Sequence, residues 1–160
     1  MKPIRIAGCL VSLLFVLPAA GQDRVDTLRQ QFVREPDPVR HAKLFPKLGE
    51  ALLARARSDE DAGQPDHALA ALREYRDDLH KSFESLKAAG RNAEKHPAGF
   101  RELQIHTRKS LQQINQVVLG APFDQREPFV VLQHAIEQID QQLIQMLFPP
   151  PPEQRGKPKS

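Results

Sequence analysis

Residues 66–90, DHALAALREYRDDLHKSFESLKAAG, decide the fold class. Their apolar side chains recur at spacings of three and four, which places them on one face of an α-helix. These side chains are Ala68, Leu69, Leu72, Tyr75, Leu79, Phe83 and Leu86. Asp66 is a candidate N-cap before the pattern, and Gly90 ends it. The stretch therefore predicts a long amphipathic helix with one buried face.

The same periodicity predicts four more helices. Two of them precede residues 66–90 in the chain, and two follow. They cover about residues 23–35, 38–62 and 100–120, and then a segment from Asp124 or Glu127 to Leu147. In the second helix Asp37 is the expected N-cap and Pro38 the first helical residue. Pro46 falls inside that helix, so the helix either kinks there or begins there.

Short polar connections favour antiparallel packing of consecutive helices, because a short loop leaves the chain little choice. The last helix supports this arrangement, since Leu132, Ile136, Ile139, Leu143 and Leu147 have the near-heptad spacing of bundle and coiled-coil helices. No segment shows sustained alternation of apolar and polar residues. We expect an all-α protein, an antiparallel bundle of about four main helices with the short N-terminal helix laid against it.

The first 21 residues have the three-part order of a secretory signal peptide. Lys2 and Arg5 carry positive charge, an apolar run follows, and small residues end the segment. Because the apolar part is shorter than the roughly 20 residues of a membrane span, we expect cleavage after Ala20 or Gly21. The chain is then exported to the periplasm or the extracellular space, without stable membrane insertion.

The other end of the chain, residues 149–160 with the sequence PPPPEQRGKPKS, has almost no side chain to bury. A proline run ends a helix and favours an extended, solvated chain. The sequence therefore divides into a signal peptide at 1–21, a helical domain at 22–148 and a disordered proline-rich tail at 149–160.

Composition excludes several classes of function for the mature chain. Cys9 is the only cysteine and lies in the predicted signal, so no disulfide or thiolate metal ligand remains. Removal of Lys2 and Arg5 takes the 23 basic residues to 21 against 20 acidic ones, a net charge of +1. The remaining charges alternate in sign along the helices instead of clustering, which argues against a nucleic-acid partner.

The hairpin around Gly63 resembles a tetratricopeptide repeat. Gly63 stands at the turn, Ala68 follows where that repeat has a small residue, and Leu48-Gly49 matches its first-helix pair. The resemblance covers about a quarter of the chain, because no second copy follows at a period near 34 residues. It implies a scaffold that binds peptides or proteins, and it carries over no catalytic residue.

Six histidines raise the question of a metal site: His41, His67, His80, His96, His106 and His134. No two of them are three or four residues apart, and the Glu-x-x-His spacing of di-iron bundles is missing. His106 lies on the shoulder of its helix's apolar stripe, while His134 lies nearly opposite its own. We therefore predict no metal ligand and no cofactor, and interpret the histidines as surface residues.

Catalytic motifs are missing as well. The hydroxyl residues occur in no Gly-x-Ser-x-Gly context, and no glycine-rich phosphate loop is present. The carboxylate runs 59–61 and 77–78 lie in charge-balanced helical segments and are typical of solvated faces. We predict no catalytic residue and no enzymatic activity.

Two features favour a binding function. The fourth and fifth helices have faces rich in glutamine, which carry little charge repulsion and are suited to contact a partner or a second copy of the chain. These glutamines are Gln104, Gln112, Gln113 and Gln116 on the fourth helix and Gln133, Gln138, Gln141, Gln142 and Gln145 on the fifth. Residues 91–99 form a polar connection, and loops often carry function. The leading hypothesis is an exported, non-enzymatic protein-interaction or scaffold domain of the cell envelope; the alternative is a periplasmic bundle that binds a small ligand or a metal.

Overall fold

The structure, a computed structural model, describes residues 20–150. This part of the chain contains no β-strand and forms five α-helices packed against one another, which confirms the predicted all-α bundle. Residues 1–19 of the predicted signal peptide and residues 151–160 of the predicted tail lie outside the described residues. The helices are α1 (Ala20–Arg34), α2 (Pro38–Asp61), α3 (Pro65–Ala88), α4 (Phe100–Gly120) and α5 (Glu127–Leu147).

The helix starts follow local sequence signals, with two corrections. Asp37 caps α2 as predicted, because its Oδ1 accepts the Arg40 N–H at 2.8 Å. The helix runs through Pro46, so the interpretation that it begins at Pro46 was wrong. Asp66 is not the N-cap of α3: the helix begins one residue earlier, at Pro65, whose fixed φ suits the first turn.

The start of α4 depends on a glycine. Gly99 has φ +89°, and its N–H donates to Glu102 Oε2 at 2.7 Å. A Cβ at Gly99 would lie 2.8 Å from Cδ2 of Leu86, so only glycine fits against the end of α3. At the other end of α4, a short 3-10 turn, Phe123–Gln125, contains Asp124, and Glu127 opens α5.

The bundle consists of two helical hairpins, α2–α3 and α4–α5, that lie side by side. Each hairpin is antiparallel, whereas α2 and α4 run parallel. Lys43 of α2 approaches Glu102 near the start of α4 at 3.9 Å. At the far end, Glu60 of α2 lies against Gly120 of α4. The helix α1 packs on the first hairpin, where Arg29 pairs with Glu74 of α3 at 2.8 Å.

The core lies between the two hairpins and is built from leucine, isoleucine, valine, alanine and phenylalanine, with one tyrosine. Most residues of the predicted stripes are buried, including Leu72, Leu79 and Leu86 of α3. Among residues 20–150, no helix is long and apolar enough to cross a membrane.

Candidate functional site

A cluster of polar side chains occupies the middle of the core, where α2, α3, α4 and α5 meet. Its members are Tyr75, His106, Thr107, Ser110 and Asp140, each at most 8% exposed. Three of them follow one face of α4, where Thr107 and Ser110 fill the gap that the predicted apolar stripe leaves after Leu103. A hydroxyl can occupy such a buried position because removing it from water costs less free energy than removing a charged group.

His106 is the central side chain of this cluster. Its Nε2 lies 3.3 Å from Ser110 Oγ, and its ring meets Phe45 edge-on at a centroid distance of 5.4 Å. Burial, with a smaller contribution from Lys109, lowers the pKa of His106 to about 4. The ring is therefore neutral at physiological pH, and the interpretation of His106 as a surface residue was wrong.

Asp140 closes the cluster on the α5 side. Its Oδ2 lies 2.8 Å from Arg108 Nη2, and Gln104 donates to its Oδ1 at 3.3 Å. Burial raises the pKa of Asp140, and the Arg108 charge and the Gln104 hydrogen bond oppose that shift. The sequence held a signal for this burial, because Asp140 follows Ile136 by four residues and precedes Leu143 by three.

A second histidine–serine pair joins α2 and α3. Nδ1 of His41 lies 3.3 Å from Ser82 Oγ, and the His41 ring stacks on Phe32 at a centroid distance of 3.8 Å. Ser82 donates its hydrogen to the carbonyl of Asp78 at 2.9 Å and is fully buried. The pair therefore cross-links two helices, and the interpretation of His41 as a surface residue was wrong, because only 6% of it is exposed.

The remaining histidines, His67, His80, His96 and His134, are exposed as the sequence indicated. Within the described part of the chain, no three histidine, cysteine or carboxylate side chains are grouped so as to hold a metal ion. His106, which the helical phase placed on the shoulder of its apolar stripe, is buried, whereas His134, nearly opposite its own stripe, is exposed and lines a surface groove.

Two surface grooves of the described residues lie on α4 and α5, the two helices that the sequence singled out, and a smaller one lies beside Val33, His41 and Lys81. A groove of about 530 Å³ runs between their middle turns, beside Arg108 and the glutamines Gln138, Gln141 and Gln142. Asp140 lies at its floor. Three glutamines of the predicted faces therefore line this groove, whereas Gln104 donates to Asp140 and lines a second groove.

A second groove, of about 490 Å³, brings the two predicted binding features together. One wall is the 91–99 connection, with Ala93, Glu94 and Pro97; the other is formed by Ile105 of α4 and by the end of α5. Ile105 is 42% exposed and Phe148, just after α5, is 72% exposed. We call this feature the Phe148 groove. Sequence reasoning assigned neither apolar side chain to a surface, because periodicity alone does not distinguish a partly exposed position at the edge of a stripe.

Comparison with known proteins returned no match to a family model, to a curated protein or to a solved structure.

Proposed function

We propose that this chain is an exported, non-enzymatic helical scaffold that binds a protein partner in the Phe148 groove. The proposal rests chiefly on one observation. Two large apolar side chains, Ile105 and Phe148, stay exposed on one groove whose other wall is the 91–99 loop. Exposed apolar groups that share a concave surface with polar neighbours are typical of interaction sites.

The arrangement of the hairpins supports a scaffold. Helical-hairpin repeats stack with equivalent helices parallel, so that each hairpin buries the face its neighbour leaves open. The α2–α3 and α4–α5 hairpins have this relationship, although the tetratricopeptide-like residues Gly49, Gly63 and Ala68 belong only to the first. We propose that the second hairpin supplies the binding surface and the first supports it.

The accessible chemistry of the groove fits a protein partner. Its walls combine apolar surface with Glu94 and Arg101, opposite charges that leave the groove near neutral. Such a surface matches a segment with one or two apolar anchors and few charges. The buried polar cluster does not contribute, since none of its five members lines the Phe148 groove.

The binding proposal is tested by photo-crosslinking in the cells that export the protein. A photoreactive phenylalanine analogue replaces Phe148, Ile105 or, as a matched control, Ala54, which is exposed on α2. We expect one discrete crosslinked species from positions 148 and 105 and none from 54. Its formation should fall in a chain carrying Glu94→Arg on the opposite wall.

Two outcomes contradict the proposal. One is an equal crosslinking pattern from all three positions, which indicates random collision. The other is full retention of the crosslink at position 105 when Phe148 is replaced by Glu, a change that leaves the fold intact because this side chain is largely exposed. Val131→Glu, at an exposed apolar position near the other end of α5, is the control for the added charge.

Export is tested separately. N-terminal sequencing of the chain recovered from the cell envelope or the medium should read Gly21 or Gln22 as the first residue. The predicted cut falls in the first turn of α1, so it removes almost none of the bundle. Recovery of the uncleaved chain from the cytoplasm alone would contradict export and leave the groove proposal to its own test.

A further inference from the structure

The end of the bundle opposite the Phe148 groove combines strong negative charge with an exposed aromatic ring. Here α2 ends, α3 begins, and the turn from α4 to α5 projects Phe123, which is 89% exposed. Glu60 lies against Gly120, which brings the end of α2 to that turn. We call this surface the acidic end; its carboxylates are Asp59, Glu60, Asp61, Asp66, Asp124 and Glu127.

The cations of the acidic end leave most of this charge unpaired. Arg55 lies 3.6 Å from Asp59, and Arg126 donates to the carbonyls of Leu119 and Ala121 at 2.9 and 3.1 Å. Arg57 is the third cation, so three guanidinium groups face six carboxylates. An exposed aromatic ring surrounded by carboxylates is suited to bind a segment that combines apolar residues with positive charge.

We propose that the acidic end binds the proline-rich basic tail, residues 149–160, of a second copy of this chain. The tail carries four successive prolines and then Arg155, Lys157 and Lys159 against Glu153. Proline-rich segments dock on exposed aromatic rings through the flat faces of their rings, and adjacent basic residues are fixed by carboxylates. The tail and the acidic end are complementary in both respects.

A second copy fits this arrangement better than the chain's own tail. The tail starts at Phe148, at the opposite end of α5, and the 21 residues of α5 span about 31 Å. Lys159 is eleven residues beyond Phe148, a reach of about 34 Å in a polyproline conformation. The tail of the same chain would have to reverse direction and extend almost fully, whereas the tail of a second copy needs neither.

The resulting contact is head to tail, because each copy offers its tail at one end of the bundle and its acidic end at the other. Such a heterologous contact adds copies in a row, or forms a ring where the rotation between copies closes. It depends mainly on charge, so it weakens with added salt.

Sedimentation velocity on residues 22–160 tests the proposal. At low salt we expect the average mass to rise with protein concentration, and at high salt to return to that of a monomer. Phe123→Ser, or the triple change Arg155→Gln, Lys157→Gln and Lys159→Gln, should weaken self-association by about tenfold or more. The matched controls keep it: Val33→Ser for the exposed apolar residue, and Arg40→Gln, Lys47→Gln and Arg73→Gln for the loss of three exposed charges.

A mixing experiment distinguishes the tail of a second copy from that of the same chain. Isotope-labelled protein with the triple tail change is mixed with unlabelled Phe123→Ser protein, so that only a tail from another chain can reach an intact acidic end. Backbone resonances of residues 59–66 and 120–127 should shift, with little change elsewhere. A monomer at every concentration in low salt, association that survives both variants, or no shift on mixing would each overturn the proposal.

Discussion

Gly49 of α2 packs directly against the imidazole of His106 on the parallel helix α4. A Cβ built on Gly49 would lie 2.5 Å from His106 Nε2 and 3.0 Å from Cε2 of Tyr75. Both neighbours are buried rings that cannot swing into solvent. The glycine therefore sets how closely the two hairpins approach each other.

Gly49→Ala should destabilise the fold. In an exposed helix interior the same change stabilises by about 1 kcal/mol. Here the added methyl must push α2 from α4 or displace the His106 ring, and we expect a net loss of about 1–3 kcal/mol in the free energy of unfolding. Urea denaturation followed by circular dichroism measures it.

The control for this change is Gly120→Ala. The three atoms nearest its new methyl all belong to the carboxylate of Glu60, the far end of a flexible side chain that can move aside. Its unfolding free energy should stay close to that of the parent chain. Equal effects at positions 49 and 120 would contradict the close-approach argument, as would full additivity of Gly49→Ala with His106→Ala.

The free energy of unfolding should decrease as the pH is lowered, because protonation of His106 favours the unfolded chain. The unfolded chain binds this proton with a pKa near 6.5 and the folded chain only near 4. As the pH falls, the unfolded state therefore binds the proton before the folded state does. The contribution of His106 to the free energy of unfolding is fully present above pH 6.5, and up to about 3 kcal/mol of it is lost as the pH drops towards 4. The lowered pKa of His41 acts in the same direction.

Replacing the imidazole isolates its contribution. His106→Gln should lower stability at neutral pH but flatten its slope between about pH 6.5 and 4, whereas His134→Gln, at an exposed position, should change neither. The raised pKa values of Asp78 and Asp140 have the opposite effect on the pH dependence of stability, since protonation of these carboxyl groups favours the folded state. Both groups are present in the parent chain and in the two variants, so they do not affect the comparison. An unchanged slope in His106→Gln would refute the assignment.

The fold class followed from the sequence because the helical period marks the buried face of each helix. Leu72, Tyr75 and Leu79 were predicted to share one face and are fully buried. The antiparallel pairing within each hairpin followed from the short connections, but the contacts between the two hairpins did not, since an apolar stripe shows which side of a helix is buried and not which helix covers it. The parallel contact of α2 with α4 depends on tertiary packing, such as the close contact of Gly49 with the His106 ring.

The polar core was missed for a different reason. Polar residues are usually exposed, so Thr107, Ser110 and Asp140 were not counted as core even though their spacing continues the stripes of α4 and α5. A stripe interrupted by small hydroxyl residues at the expected positions is the signal that would have found them. The exposure of Phe148 had no such signal, because it depends on how far the 91–99 loop reaches over the end of α5.

Tyr75→Phe should be close to neutral or slightly stabilising. The Tyr75 hydroxyl is buried near Ser110 and Thr107, yet no hydrogen bond of good geometry reaches it from the described residues. Removing a buried hydroxyl without a partner releases its desolvation penalty. Ser82→Ala is the contrast, since that hydroxyl is bonded to the carbonyl of Asp78, and its loss should cost about 1 kcal/mol. A larger cost at Tyr75 than at Ser82, in thermal and urea unfolding alike, would show that the Tyr75 hydroxyl is satisfied.

Arg108→Gln should be more harmful than its surface position indicates. The Asp140 side chain is 1% exposed, whereas that of Arg108 is 53% exposed. Loss of the guanidinium leaves a buried carboxylate supported only by Gln104, and we expect a cost of about 1–3 kcal/mol at neutral pH. Burial already raises the pKa of Asp140, and loss of Arg108 raises it further, so protonation should restore part of the stability as the pH falls.

The double variant with Asp140→Asn tests whether the cost of Arg108→Gln comes from the carboxylate. An amide of the same shape carries no charge to compensate, so Arg108→Gln should cost less in the Asp140→Asn background than in the parent chain. Lys109→Gln, at the next exposed position on α4, is the control for removing a nearby cation that is not the salt-bridge partner of Asp140. If Arg108→Gln costs the same in both backgrounds, its effect arises from the packing of its aliphatic stem and not from the buried charge.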